Sequence, residues 1–252
     1  MTRNPFKAAL GQGKLQIGLW SSLASNISAE IIAPCGYDWI VIDMEHAPND
    51  LRDVLSQLQA MRGGTATPVV RPPWNEFVTI KRVLDAGAPA LIVPYVQNRE
   101  EAEMAVRAVR YPPRGIRGVA GGARGSDFGR RKDYFATADD DICLLVQVET
   151  AEALERLEEI ASVDGVDGVF IGPADLAASM GHLGNLKAPE VQQAIHAAVG
   201  RLKAIGKPGG ILTAVEEDAR RYIDWGFLFV AVGIDANLLM RAAGDLAGRF
   251  KR

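Results

Sequence analysis

The residues that could do chemistry fall in four short runs: Asp43-Met44-Glu45-His46, Arg71 ahead of Pro72-Pro73, Gln147-Val148-Glu149, and Gly172-Pro173-Ala174-Asp175. Each run closes an apolar, β-branched stretch, so each lies where a strand gives way to a loop. Glu149 and Asp175 could share a hard cation, Mg²⁺ or Mn²⁺, with water and substrate oxygens completing its shell. By themselves they would be a pair of solvated loop acids; Arg71 and His46 close by argue for a site. His46 follows Asp43 by three residues, a spacing that would let the carboxylate hold the imidazole in one tautomer as an acid–base pair. The plainer alternative is a histidine hydrogen-bonded in a loop. Pro72 and Pro73 fix the chain after Arg71, so its guanidinium could sit over the site and stabilise an oxyanion such as an enolate; otherwise it would pair with Glu45 or Glu149. Gln147 would orient a metal-bound water or fill space. Gly172 and Pro173 make a tight turn whose amides, at Ala174 and Asp175, could receive a carboxylate. Glu45 is expected to pack against the wall of the fold.

These residues need a scaffold that brings strand ends together. The chain alternates short apolar runs with stretches of helical spacing, the mark of parallel strands joined by crossover helices. The runs predict eight strands: Gln16–Leu19, Trp39–Asp43, Pro68–Val70, Ala90–Val93, Ile142–Val148, Gly168–Ile171, Gly209–Leu212 and Leu228–Val232. Helices are expected to start near Asn26, Leu51, Phe77, Arg99, Ala151, Pro189, Val215 and Ala236. Eight such units in 252 residues match a closed (β/α)8 TIM barrel better than an open sheet, and in that barrel reactive residues gather at the C-terminal strand ends. Trp20 closes the first strand at the same mouth. The Gly- and Arg-rich connection from Tyr111 to Asp141 is expected to fold over the mouth.

Composition narrows the classes. A net charge of −3 without long runs of one sign recommends neither a nucleic-acid nor a membrane-surface partner. No apolar stretch has leader or membrane-spanning length, so a cytoplasmic protein of one domain, residues 1–252, is expected. Cys35 and Cys143 read as structural thiols. No lysine follows any predicted strand, and Lys207 precedes the seventh, which removes a Schiff-base nucleophile. The stretch Gly118–Gly125 lacks the lysine of a triphosphate loop and the setting of a dinucleotide fingerprint, which removes both cofactors. His182 and His196 are given no catalytic role.

Longer motifs carry a resemblance. Gln16-Ile-Gly-Leu-Trp20, Trp39-Ile-Val-Ile-Asp-Met-Glu-His-Ala-Pro48, Pro68-Val-Val-Arg-Pro72, Val93-Pro94, Arg110-Tyr-Pro-Pro-Arg-Gly-Ile-Arg-Gly118, Val146-Gln-Val-Glu-Thr150 and Val169-Phe-Ile-Gly-Pro-Ala-Asp-Leu176 span nearly the whole chain. It resembles the 4-hydroxy-2-oxoheptanedioate aldolases, the HpcH/HpaI family of metal-dependent pyruvate aldolases. The resemblance implies a (β/α)8 barrel whose C-terminal helix is swapped between subunits of a homohexamer, a trimer of swapped dimers. It implies a divalent metal (Mg²⁺, Mn²⁺ or Co²⁺) on Glu149 and Asp175, Arg71 on the pyruvate oxo oxygen, proton transfer assisted by Asp43 and His46, and the substrate carboxylate on amides from Gly172 to Asp175. It also implies that Asp85 is lent across a subunit interface and that Trp20, Val119 and Leu212 line the aldehyde end. The expected reaction is reversible cleavage of a 4-hydroxy-2-oxo acid into pyruvate and an aldehyde, with hydroxypyruvate a further candidate donor. The alternatives are oxaloacetate decarboxylation, cleavage of an acyl-coenzyme A through the same enolate, or a non-catalytic barrel that binds oxo acids.

Overall fold

The computed structural model describes residues 3–251. Met1, Thr2 and Arg252 lie outside the described residues. The order is α1 (Pro5–Gly11), β1 (Gln16–Ser21), α2 (Asn26–Ile32), β2 (Trp39–Asp43), α3 (Leu51–Ala60), β3 (Thr67–Arg71), α4 (Phe77–Asp85), β4 (Ala90–Val93) and α5 (Arg99–Val109). After a 3-10 turn at Arg124–Ser126 follow α6 (Tyr134–Asp141), β5 (Cys143–Val148), α7 (Ala151–Glu155), α8 (Leu157–Ala161), β6 (Gly168–Ile171) and α9 (Pro173–Ser179). The chain ends with α10 (Pro189–Ala204), β7 (Gly209–Leu212), α11 (Glu216–Trp225), β8 (Phe229–Ile234) and α12 (Asp235–Phe250).

The eight strands are parallel and pair in sequence order, and β8 closes on β1. This is the expected (β/α)8 barrel. Its interior is aromatic: Trp20 packs 5.4 Å from Phe170, and Trp39 lies 5.9 Å from Phe229. Gly18 makes room for this filling, since a Cβ there would come within 2.3 Å of the Trp39 indole. Helix α1, absent from the expected elements, begins at Pro5, with the Asn4 side chain accepting from the Lys7 amide. It sends Phe6 against Trp39 at 5.5 Å, closing the N-terminal end of the barrel with an apolar plug. A second apolar layer fills the space between strands and helices. Cys143 is buried within β5, whereas Cys35 is exposed.

The long connection after α5 differs from expectation. The connection from Tyr111 to Asp141 does not cover the mouth, and none of its residues lines the mouth cavity. It runs outside the barrel toward the opposite end. Arg124 donates to the carbonyls of Ala86 (2.8 Å) and Leu58 (3.2 Å), and Arg117 pairs with Asp85 (2.9 Å), at or near the C-terminal ends of α4 and α3. Free carbonyls and the negative pole at helix C-termini give Arg124 its acceptors, while Arg117 takes the Asp85 carboxylate and the Tyr134 hydroxyl. Helix α12 is anchored at its first residue, where Asp235 accepts from the Ser22 amide (2.8 Å) and the Ser28 hydroxyl (3.1 Å). Beyond Asp235 none of its residues is buried, and Leu238, Leu239, Met240, Leu246 and Phe250 are exposed. Among the described residues no helix is long and apolar enough to cross a membrane.

Candidate active site

The β2–β3 register sets Asp43 beside Arg71, so their side chains leave the barrel together. Arg71 grips Asp43 as a fork, Nε to Oδ1 at 2.8 Å and Nη2 to Oδ2 at 2.7 Å. The Trp20 indole N–H donates to the same carboxylate at 3.2 Å, and the Arg71 guanidinium lies 5.0 Å from the Trp20 ring centre. Burial alone would raise the Asp43 carboxyl, but hydrogen bonding and charge from Arg71, with the Glu45 amide and Trp20, hold it below the usual range. Arg71 is thereby fixed rather than free to swing.

Around it stands a group of acids. Glu45 puts Oε2 2.8 Å from Arg71 Nη1, yet that oxygen has no aligned hydrogen bond. Glu149 is buried at the end of β5 and accepts from the Tyr95 amide (2.8 Å) and the Gln147 side chain (2.5 Å). Burial pushes its carboxyl up to about 7, against the Gln147 and Tyr95 hydrogen bonds and with added repulsion from Glu45 and Asp175. Glu45 is raised too, by burial and then by the charges of Asp43 and Asp175, against the pull of Arg71. Gln147 is buried with its Oε1 unpartnered. Gly172 backs directly onto Glu149: a Cβ there would lie 2.6 Å from Oε2 and 2.7 Å from the Glu149 Cβ. Asp175 is exposed in the first turn of α9, where the amides of Ala174 and Asp175 have no acceptor within the helix.

A cavity of about 810 Å³ opens over this group and is lined by Trp20, Asp43, His46, Arg71, Gln147, Gly172–Asp175 and Leu212. Two expected features are not found there. The His46 imidazole does not rest on Asp43; only its backbone amide approaches that carboxylate, at 3.4 Å, while the ring is 65% exposed with Nε2 4.0 Å from Glu45. The Arg71 fork already occupies Asp43, which is why the expected Asp43–His46 pair does not form. Val119 is 67% exposed outside the cavity that it was expected to line. Asp85, expected to serve across a subunit interface, is paired with Arg117 beside α3 and α4, away from the mouth of its own barrel.

Lys187 was not expected at the mouth, and Glu45, named as a possible partner of Arg71, was otherwise expected to pack against the wall. Glu45 lies on the same strand-end parity as Asp43, so alternation alone could have turned it toward the site instead of the wall. Lys187 lines the cavity from the β6–α10 connection, which corrects the reading that no lysine follows a strand: one does, well downstream, past α9. Its side chain is exposed, unlike the desolvated amine that imine chemistry needs.

A closed parallel barrel with an arginine and buried carboxylates at its C-terminal mouth defines a (β/α)8-barrel enzyme. Residues 16–242 match the family model described as HpcH/HpaI aldolase/citrate lyase, and the chain belongs to that family; it is a carbon–carbon lyase of the aldolase type. A 4-hydroxy-2-oxo-heptane-1,7-dioate aldolase of Escherichia coli is 56% identical over 248 residues, 98% of this chain and 95% of the relative. Its counterpart in Klebsiella pneumoniae is 57% identical over 98% of this chain and 94% of that protein. The crystal structure of an HpcH/HpaI aldolase/citrate lyase family protein from Burkholderia cenocepacia superposes with a TM-score of 0.96 at 42% identity, covering 99% of this chain and all of that one.

Proposed function

We propose that the protein reversibly cleaves 4-hydroxy-2-oxo acids, 4-hydroxy-2-oxoheptane-1,7-dioate among them, into pyruvate and an aldehyde. The observation that carries this reading is the fixed Arg71 guanidinium beside three carboxylates, Glu45, Glu149 and Asp175, at one barrel mouth. The donor set fits a hard cation: among the described residues Glu149 has no cationic partner and Gln147 Oε1 has no donor, and the Glu149 carboxyl is pushed up to about 7 first by burial and then by its acidic neighbours. Mg²⁺, Mn²⁺ or Co²⁺ on Glu149 and Asp175 would place positive charge against the carboxylate and oxo oxygens of the oxo acid.

The chain's own groups account for the remaining steps. The free amides of Ala174 and Asp175 receive the substrate carboxylate. A base takes the proton of the C4 hydroxyl; the C3–C4 bond breaks, its electrons pass to C3 and the oxo oxygen, and an aldehyde leaves. Arg71, held by Asp43, faces the oxygen on which charge grows. The exposed His46 moves the proton, finally delivering one to C3 to give the methyl group of pyruvate. Trp20 and Leu212 bound the aldehyde end. Hydroxypyruvate is a further donor to assay, because it offers the same carboxylate and oxo oxygens.

We further propose a homohexamer, a trimer of swapped dimers. The exposed apolar row of α12 supports it, as does the placement of Asp85 and Val119, which could serve only a neighbour's mouth. An acyl-coenzyme A substrate is disfavoured, since Arg71 and Lys187 are the only lysine or arginine among the described lining residues. The test is pyruvate release from a 4-hydroxy-2-oxo acid by chelator-treated protein. Turnover should return with Mg²⁺, Mn²⁺ or Co²⁺ and fall at least about 100-fold in Arg71→Ala; turnover in Arg71→Ala close to wild type would refute the role of Arg71.

A further inference from the structure

The mouth cavity presents a second cation whose work the carbon–carbon chemistry leaves unassigned. Lys187 sits on the β6–α10 connection and, among the described residues, has neither an ion pair nor a hydrogen bond. The cavity's arginine, Arg71, is engaged by Asp43 and Glu45, and Asp218, which also lines the cavity, is taken by Arg221 at 2.9 Å. The backbone on both sides of Lys187 is fixed. Ala188 is buried, and Leu186 packs on the core while its carbonyl accepts from Gln192 at 2.7 Å. Gln192 is in turn held by Tyr222 and Arg221 of α11. The loop therefore holds Lys187, an exposed lysine without a partner among the described residues, at the rim of the cavity on a firm backbone.

We infer that Lys187 receives an anionic group at the far end of the acceptor aldehyde, so that the enzyme selects aldehydes carrying a terminal carboxylate. The inference rests on the aldolase reading and adds to it the residue that holds the far end of the acceptor. Cleaving C3–C4 of a 4-hydroxy-2-oxoheptane-1,7-dioate leaves 4-oxobutanoate, a four-carbon aldehyde with a carboxylate at its other end. The oxo-acid half takes Arg71 and the amides of α9, which leaves the second carboxylate without a charged partner unless Lys187 provides it. The apolar side chains of Leu212 and Val215 also line the cavity and suit the methylene chain between the two ends.

The test compares aldol synthesis from pyruvate with 4-oxobutanoate and with butanal, a near-isosteric neutral aldehyde, in wild type, Lys187→Met and Lys187→Arg. Exchange of the pyruvate methyl protons for deuterium, which needs no aldehyde, serves as the control. Lys187→Met should raise the KM for 4-oxobutanoate about five- to tenfold, the loss of one charge-assisted contact, with kcat and the butanal parameters little changed. Lys187→Arg should restore most of the difference. Equal effects on the two aldehydes, or none on either, with methyl exchange intact, would overturn the inference and leave the aldolase reading standing. Wild-type protein without metal-dependent exchange would overturn the aldolase reading, and this inference with it.

Discussion

Gly172 carries no functional group, yet the position of Glu149 depends on it. With the Glu149 carboxylate 2.6 Å from where a Cβ would be, Gly172→Ala must displace that side chain or the turn before α9. A shift of about 1 Å in a group that aligns substrate can cost about 100-fold in rate. Steady-state kinetics of Gly172→Ala should show a loss of that order in kcat/KM with circular dichroism unchanged. Glu149 gives a pH prediction. Its carboxyl is raised to about 7, chiefly by burial, whereas in the unfolded chain it titrates near the ordinary carboxylate value of about 4.3. The folded form therefore holds the proton more tightly. That contribution to stability is full below the unfolded value and is lost as pH rises through about 7. A divalent cation on Glu149 must displace the proton, so the rise in Tm on adding Mg²⁺ or Mn²⁺ should be larger at pH 8 than at pH 5.5; equal shifts would argue against Glu149 as a ligand. Types and strand-end positions made most of these residues legible in the sequence. What it did not disclose was partnership. Asp43 could have held His46 or Arg71, and only the β2–β3 register, which sets Asp43 opposite Arg71, decides between them.

At the scale of elements, strand positions were readable because parallel strands buried on both faces read as continuous apolar runs. Ends were less so: β8 runs to Ile234, past the expected Val232, and α1, α6 and α9 were not foreseen. Short helices carry little periodic signal: α1 is capped by the Asn4 side chain, whereas α6 and α9 have no side-chain cap and are held by packing through buried residues such as Tyr134 and Leu176. The arginine-rich connection was misplaced for a related reason. Its acceptors, the carbonyls at the ends of α3 and α4, exist only once those helices have formed. Helix α12 is the element with the clearest consequence. Its exposed Leu239 and Leu246 make a face that costs free energy in water, at roughly 25 cal/mol per Å² of apolar surface. In the proposed hexamer that face is covered. Leu239→Glu combined with Leu246→Glu should shift sedimentation toward smaller species, while far-ultraviolet circular dichroism stays close to wild type. A wild-type chain that sediments as a monomer would contradict the assembly.

For the whole molecule, the barrel separates stability from chemistry. The N-terminal end is sealed by α1 and the aromatic interior, and the C-terminal end gathers a fixed guanidinium, a set of under-neutralised carboxylates and one unpaired lysine around a single cavity. Its carboxylates have too few cations of their own, and that shortage is the physical reason to expect a bound metal and an electron-rich transition state. The most direct measurement is proton NMR of pyruvate in D₂O with chelator-stripped protein, before and after addition of Mg²⁺ or Mn²⁺. Loss of the methyl signal only after metal is added, abolished in Glu149→Gln, is the predicted result. A methyl signal that persists with every divalent cation, or exchanges equally without one, would contradict the metal-assisted aldolase reading.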